Sequence, residues 1–60
     1  MLIGRITISR RGEDKLYWIH LNRGTYNVST DPKISVKGGY YTLDALLAKF
    51  HLTRKDVRRP

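Results

Sequence analysis

From Leu2 to Ser29 apolar and polar side chains alternate, and two turn signals break the alternation. Leu2, Ile6 and Ile8 fall on one side of an extended chain, with Arg5, Thr7 and Ser9 on the other. A period of two over this length argues for a half-buried strand rather than a helix. Arg11-Gly12-Glu13-Asp14 reads as a polar hairpin turn, and Leu16 to Leu21 as a second strand rich in residues that sheets favour. Asn22-Arg23-Gly24 is another turn signal, followed by a third strand from Thr25 to Ser29. The simplest arrangement over residues 1–30 is an antiparallel meander.

Residues 31–41 form a link. Asp31-Pro32 marks a turn, Ile34-Ser35-Val36 reads as a short fourth strand or an extended connector, and Gly38-Gly39 ends it. Residues 42–52 then change period. Leu43, Leu46, Leu47 and Phe50 form one helical stripe behind Thr42, a good N-cap, and Asp44 lies in the first turn where the helix dipole favours a negative charge. Thr53 to Asp56 resembles a second capping signal, so residues 53–60 read as a short helical turn and a basic tail that frays at Arg58-Arg59-Pro60. The expected fold is α+β: one small domain, 1–60, with a three-stranded antiparallel sheet, or four-stranded if Ile34–Val36 joins it, and one C-terminal helix packed on one face.

A chain of 60 residues buries only about 60% of the surface its unfolded form exposes, so each large apolar side chain counts. With no cysteine, neither a disulfide scaffold nor a thiolate zinc site is open to it. The sequence lacks an apolar run of membrane-spanning length and the basic, then apolar, start of a signal peptide. A cytoplasmic protein with no membrane partner and no cofactor is the expectation.

Twelve Lys and Arg oppose five Asp and Glu, a net charge of +7 that attracts polyanions, above all nucleic-acid phosphates. Strand parity sharpens this. If Ile6, Ile8, Tyr17, Ile19, Leu21, Tyr26 and Val28 face the helix, the other face carries Arg5, Thr7, Ser9, Trp18, His20, Asn22, Thr25, Asn27 and Ser29. That face holds no carboxylate, and its Arg, amide and hydroxyl groups suit phosphates and base edges. A large aromatic such as Trp18 is more often core than contact residue, and polar residues on an exposed sheet face are ordinary. The binding set read from the sequence is Arg5, Thr7, Trp18, His20 and Asn27 on the sheet, Arg10, Arg11 and Arg23 at its turns, and Arg54, Lys55 and Arg58 in the tail.

Other chemistry is weakly supported. His20 and His51 are the only histidines, and the carboxylates Glu13, Asp14, Asp31, Asp44 and Asp56 fall mostly in turns and caps, which argues against a metal site or an enzyme. Metal-free RNA cleavage would fall to His20 with Arg5, but nothing in the spacing singles it out. Too few residues follow Thr53 to supply the reading helix of a helix-turn-helix. In its order of elements from Ile3 to Phe50, with Arg5, Trp18 and Asn27 on the sheet, the chain resembles the arm-binding domains of phage-type integrases and the plant AP2-type domains. That resemblance implies a sheet inserted into the major groove.

The leading functional expectation is a small non-enzymatic nucleic-acid-binding accessory or regulatory factor, with DNA favoured over RNA. The alternative is a phage- or plasmid-type factor that binds a host enzyme through a strand edge or through Trp18, Tyr40 and Tyr41. A homodimer through an edge strand is compatible with both.

Overall fold

The computed structural model describes residues 1–33 and 39–60. Strands β1 (Leu2–Arg10), β2 (Glu13–Asn22) and β3 (Thr25–Ser29) precede helix α1 (Leu43–Lys49) and a 3₁₀ turn at Arg54–Asp56. The described residues form a three-stranded antiparallel sheet in the order β1-β2-β3, with the helix near the C-terminus, an α+β fold. Ile34, Ser35 and Val36, read as a fourth strand or connector, lie outside the described residues.

Both hairpins close through two residues, Arg11-Gly12 and Arg23-Gly24. All four have positive φ (52°, 79°, 50° and 80°), the mirror-image turn whose twist matches that of the flanking strands. This tight closure corrects the expected four-residue turn. Glu13 and Asp14 belong to β2, paired with Arg10 and Ser9. β3 pairs only with Trp18 to Asn22, so the far half of the β1–β2 hairpin extends as a two-stranded ribbon, and the molecule measures 34 × 22 × 20 Å.

Directly paired residues share a face, and the register places Ile6, Ile8, Tyr17, Ile19, Leu21, Tyr26 and Val28 together as parity required. Ile6, Ile8 and Ile19 meet Leu46 and Leu47 of α1 in the core, ringed by Tyr17, Tyr26, Val28, Leu43 and Phe50. Burying each fully enclosed aliphatic side chain contributes about 1.5–3 kcal/mol. Leu2 departs from the expected face. The register shifts between Leu2 and Gly4, so Leu2 pairs with His20 on the outer side while Ile3 packs on the core. One extra residue in a strand reverses the sides of everything before it.

At seven residues, α1 is too short to persist without packing. Thr42 Oγ1 accepts the amide of Ala45 at 3.1 Å. The expected helix to residue 52 stops at Lys49 because His51 adopts φ 60°. The amides of His51 and Leu52 then donate to the carbonyls of Ala48 (3.1 Å) and Leu47 (2.9 Å), the closing pattern that usually employs glycine. Leu52 turns back to the core as a result.

The tail also departs from expectation. After the 3₁₀ turn, where Thr53 N donates to Asp56 Oδ2 at 2.8 Å, Val57 packs on the core. Arg58 exchanges backbone hydrogen bonds with Arg5 (2.9 and 2.8 Å), docking on the outer edge of β1 instead of fraying. On the opposite edge Tyr40 makes the equivalent pair with Tyr26 (2.7 and 2.8 Å). The Tyr40 ring packs on the core, whereas Tyr41 is 86% exposed.

Candidate nucleic-acid interface

The outer face of the sheet divides into rows set by the register. In one row Arg58, Arg5, Trp18 and Ser29 run side by side across four chain segments. The next pairs Thr7 with Leu16, and the last pairs Ser9 with Asp14. On the other side of the Trp18 row stand Leu2, His20 and Asn27.

Half of this face is closed, which corrects the expectation of an open platform. His20, Asn27 and Ser29 are 7%, 6% and 8% exposed. The segment after β3 folds back over them: the His20 Nε2 edge meets the Asp31 carbonyl oxygen at 3.1 Å, and Asp31 N donates to Ser29 Oγ at 3.1 Å. Lys33 N donates to Asp31 Oδ1 at 2.8 Å, which tightens that turn. Gly39 closes on Asn27 from the β3 edge so tightly that a Cβ there would collide with the Asn27 side chain and the Tyr26 carbonyl. No buried side-chain nitrogen or oxygen among the described residues lacks a partner. His20 and Asn27 are therefore enclosed polar groups, removed from the surface that a polymer would touch.

The open half holds Arg5, Thr7, Leu16, Trp18 and Arg58. Trp18 is half-buried and Leu16 is 43% exposed. Trp18 stands on the outer face, and the reading that would place it in the core is not what the register gives. Arg5 Nε donates to the carbonyl oxygen of Arg59 at 2.8 Å, so the docked tail fixes the Arg5 guanidinium at the β1 edge. Asp14, at the ribbon end, accepts a hydrogen bond from Ser9 Oγ. The face is thus not free of carboxylate, although Asp14 stands four residues from Trp18 along β2, about 13 Å at strand rise.

The remaining candidates disperse. Arg10 and Arg11 lie at the ribbon tip beside Glu13, and Arg23 lies at the far end of β2. Arg54 is held by Asp44, with Nε to Oδ1 at 2.8 Å and Nη2 to Oδ2 at 3.4 Å. That hydrogen-bonded pairing lowers the Asp44 pKa below its ordinary 3.8 and raises that of Arg54. Lys55 is exposed on the 3₁₀ turn. Arg54 is the only described Lys or Arg with a carboxylate within 4 Å, so the other described cations are uncompensated at that range. Leu16 carries no signal in the sequence beyond its place in an alternating strand, and only the pairing with Thr7 shows it on the open face. The docking of Arg58 was hidden as well, although the apolar-then-basic pair Val57-Arg58 was its signal.

Among the described residues no group of three or more His, Asp or Glu is placed to hold a metal ion, and no helix is long and apolar enough to cross a membrane. Comparison of the chain with protein families, with curated proteins and with solved structures finds no match in any of the three. The likeness to integrase-type domains rests on the order of elements and on Arg5, Trp18 and Asn27 of the sheet, the last of which is enclosed.

Proposed function

We propose that the protein is a small non-enzymatic nucleic-acid-binding factor whose contact surface is the open half of the sheet. The observation that carries this reading is the row Arg58–Arg5–Trp18, in which two arginines without carboxylate partners stand side by side next to an aromatic residue on one face. Arginine forks bind phosphate oxygens, and an aromatic ring contacts sugars or bases. Arg10 and Arg11 at the ribbon tip would add phosphate contacts beyond the row, within the limit set by Glu13 and Asp14 next to them. DNA is favoured over RNA, in an accessory or regulatory role.

Fluorescence anisotropy with labelled duplex and single-stranded oligonucleotides tests this. Binding at low salt that falls steeply as salt rises supports it. Absence of binding to every polymer at low ionic strength refutes it.

A second reading has its own observation. The N–H and C=O of Arg5 point outward to Arg58, so those of Thr7 and Ser9, by parity, point outward too, and no described segment pairs with them. An exposed strand edge can accept a strand of a protein partner or of a second copy. A stoichiometric protein partner that survives nuclease and high salt would favour this reading.

A further inference from the structure

We infer that the open half-face is a stacking platform for thymine-rich single-stranded DNA, which rests on the nucleic-acid reading above and narrows it to one substrate class. In a duplex the base faces are stacked on one another and only their edges reach the grooves. Trp18 lies on the outer face of the sheet between Arg5 and Ser29 and is half-buried. Against a duplex its ring meets only sugar and base edges. Against an unpaired base it offers a π-face, and every base has one to match.

Charge fixes the path of the strand. Arg58 and Arg5 lie on the β1 side of Trp18, and Asp14 lies at the ribbon end of the same face. A phosphate backbone is drawn to the β1 edge and away from Asp14 on the face itself, which turns the bases inward over Trp18 and Leu16. The Arg5 guanidinium, tied to the Arg59 carbonyl oxygen through Nε, is already ordered and loses little freedom on binding phosphate.

The floor selects the base and sugar. Leu16, 43% exposed in the row beside Trp18, suits the thymine methyl and the apolar face of deoxyribose. Ser9 already donates its hydroxyl to Asp14, which leaves Thr7 as the unengaged hydroxyl of the open rows among the described residues. The open rows thus offer a single unengaged side-chain hydroxyl, Thr7, to a 2′-hydroxyl, the group that distinguishes RNA, against the apolar surface of Trp18 and Leu16.

Trp18 is the only tryptophan, so its emission reports the platform directly. The full chain is titrated with a short oligothymidine, an oligouridine of equal length and a DNA duplex of equal length. Oligothymidine is expected to bind most tightly and to quench Trp18. With two or three phosphates engaged, raising salt from 50 to 200 mM should weaken that binding roughly 7- to 20-fold. Trp18→Ala should weaken it roughly 5- to 150-fold, and Trp18→Phe should retain most of it, since a ring still stacks. Should Trp18→Ala not fold, the Phe variant and the quench in the unaltered protein decide. A duplex that binds as tightly without changing Trp18 emission overturns the single-strand inference and leaves the nucleic-acid reading standing. Oligouridine binding as tightly as oligothymidine overturns the choice of DNA. No binding to any of the three at low salt overturns both readings.

Discussion

Gly4→Ala is the substitution that most sharply tests how the tail is held. Gly4 is buried in β1, opposite Ile19 on the inner face. A Cβ there would sit 2.8 Å from Val57 Cγ1 and 2.5 Å from the Arg58 carbonyl oxygen. The Val57 methyl can rotate aside; the carbonyl cannot, because it is the acceptor for Arg5 N. The tail must lift, and with it go both Arg5–Arg58 backbone hydrogen bonds. At about 0.5–1.5 kcal/mol net each, their loss costs about 1–3 kcal/mol. Against this stands a gain of about 0.4–1 kcal/mol from a stiffer unfolded chain. The balance is a destabilisation of up to about 2.5 kcal/mol, centred near about 1.3 kcal/mol, and at 4–8 °C per kcal/mol for a domain this size the central value lowers Tm by roughly 5–10 °C. Thermal unfolding followed by circular dichroism measures it, with amide exchange at Arg5 and Arg58 reporting whether the pair is lost. A Tm that rises by a few degrees with both amides still protected would refute the reasoning, since only the chain-entropy effect would then be present.

Other perturbations test separate elements. His51→Gly removes a left-handed conformation from a residue with a Cβ and should raise Tm, with a gain of about 1 kcal/mol. Arg23→Asn suits the positive φ of 50° at its turn and should also raise Tm, by a few degrees, without weakening oligothymidine binding, because Arg23 lies far from the Trp18 row. Gly39→Ala, at φ 153° against Asn27 and Tyr26, should destabilise by about 2 kcal/mol or more and expose His20 and Asn27 to exchange. Asp44→Asn removes the partner of Arg54. Because folding lowers the Asp44 pKa, the stabilisation is full above its unfolded value and is lost as pH falls through the lower folded one. Chemical denaturation should show a small deficit in the variant at neutral pH that vanishes in acid and shrinks with salt, the pair being exposed on the surface.

Local periodicity made most of the sheet and helix legible. Alternation places seven inner-face residues correctly, and the Leu43–Leu46–Leu47–Phe50 stripe shares one core with six of them, Leu21 being the exception. What escaped depends on contacts between segments distant in the sequence. Nothing local in Leu2-Ile3-Gly4 announces the register shift, whose cause is the pairing with β2 and the packing of Ile3. Arg58 reads as a charged, loose residue, but its docking is enforced by Val57 packing on the core and by the absence of a side chain at Gly4. Parity places His20 and Asn27 correctly, but their covering by Asp31 and Gly39 is a contact between residues distant in sequence and leaves no period in it. The Arg-Gly pair repeated at both hairpins signals a turn, whereas the tightness of the first turn is set by Glu13 and Asp14 pairing in β2.

The central claim concerns which residues of the sheet meet a nucleic acid, and backbone NMR during titration with oligothymidine at low salt tests it residue by residue. Perturbations concentrated at Arg5, Thr7, Leu16, Trp18 and Arg58, with His20 and Asn27 little changed, are the expected result. Perturbations confined to the ribbon tip, or spread evenly over Lys33, Lys49 and Lys55 as a nonspecific cloud of charge would give, would contradict it.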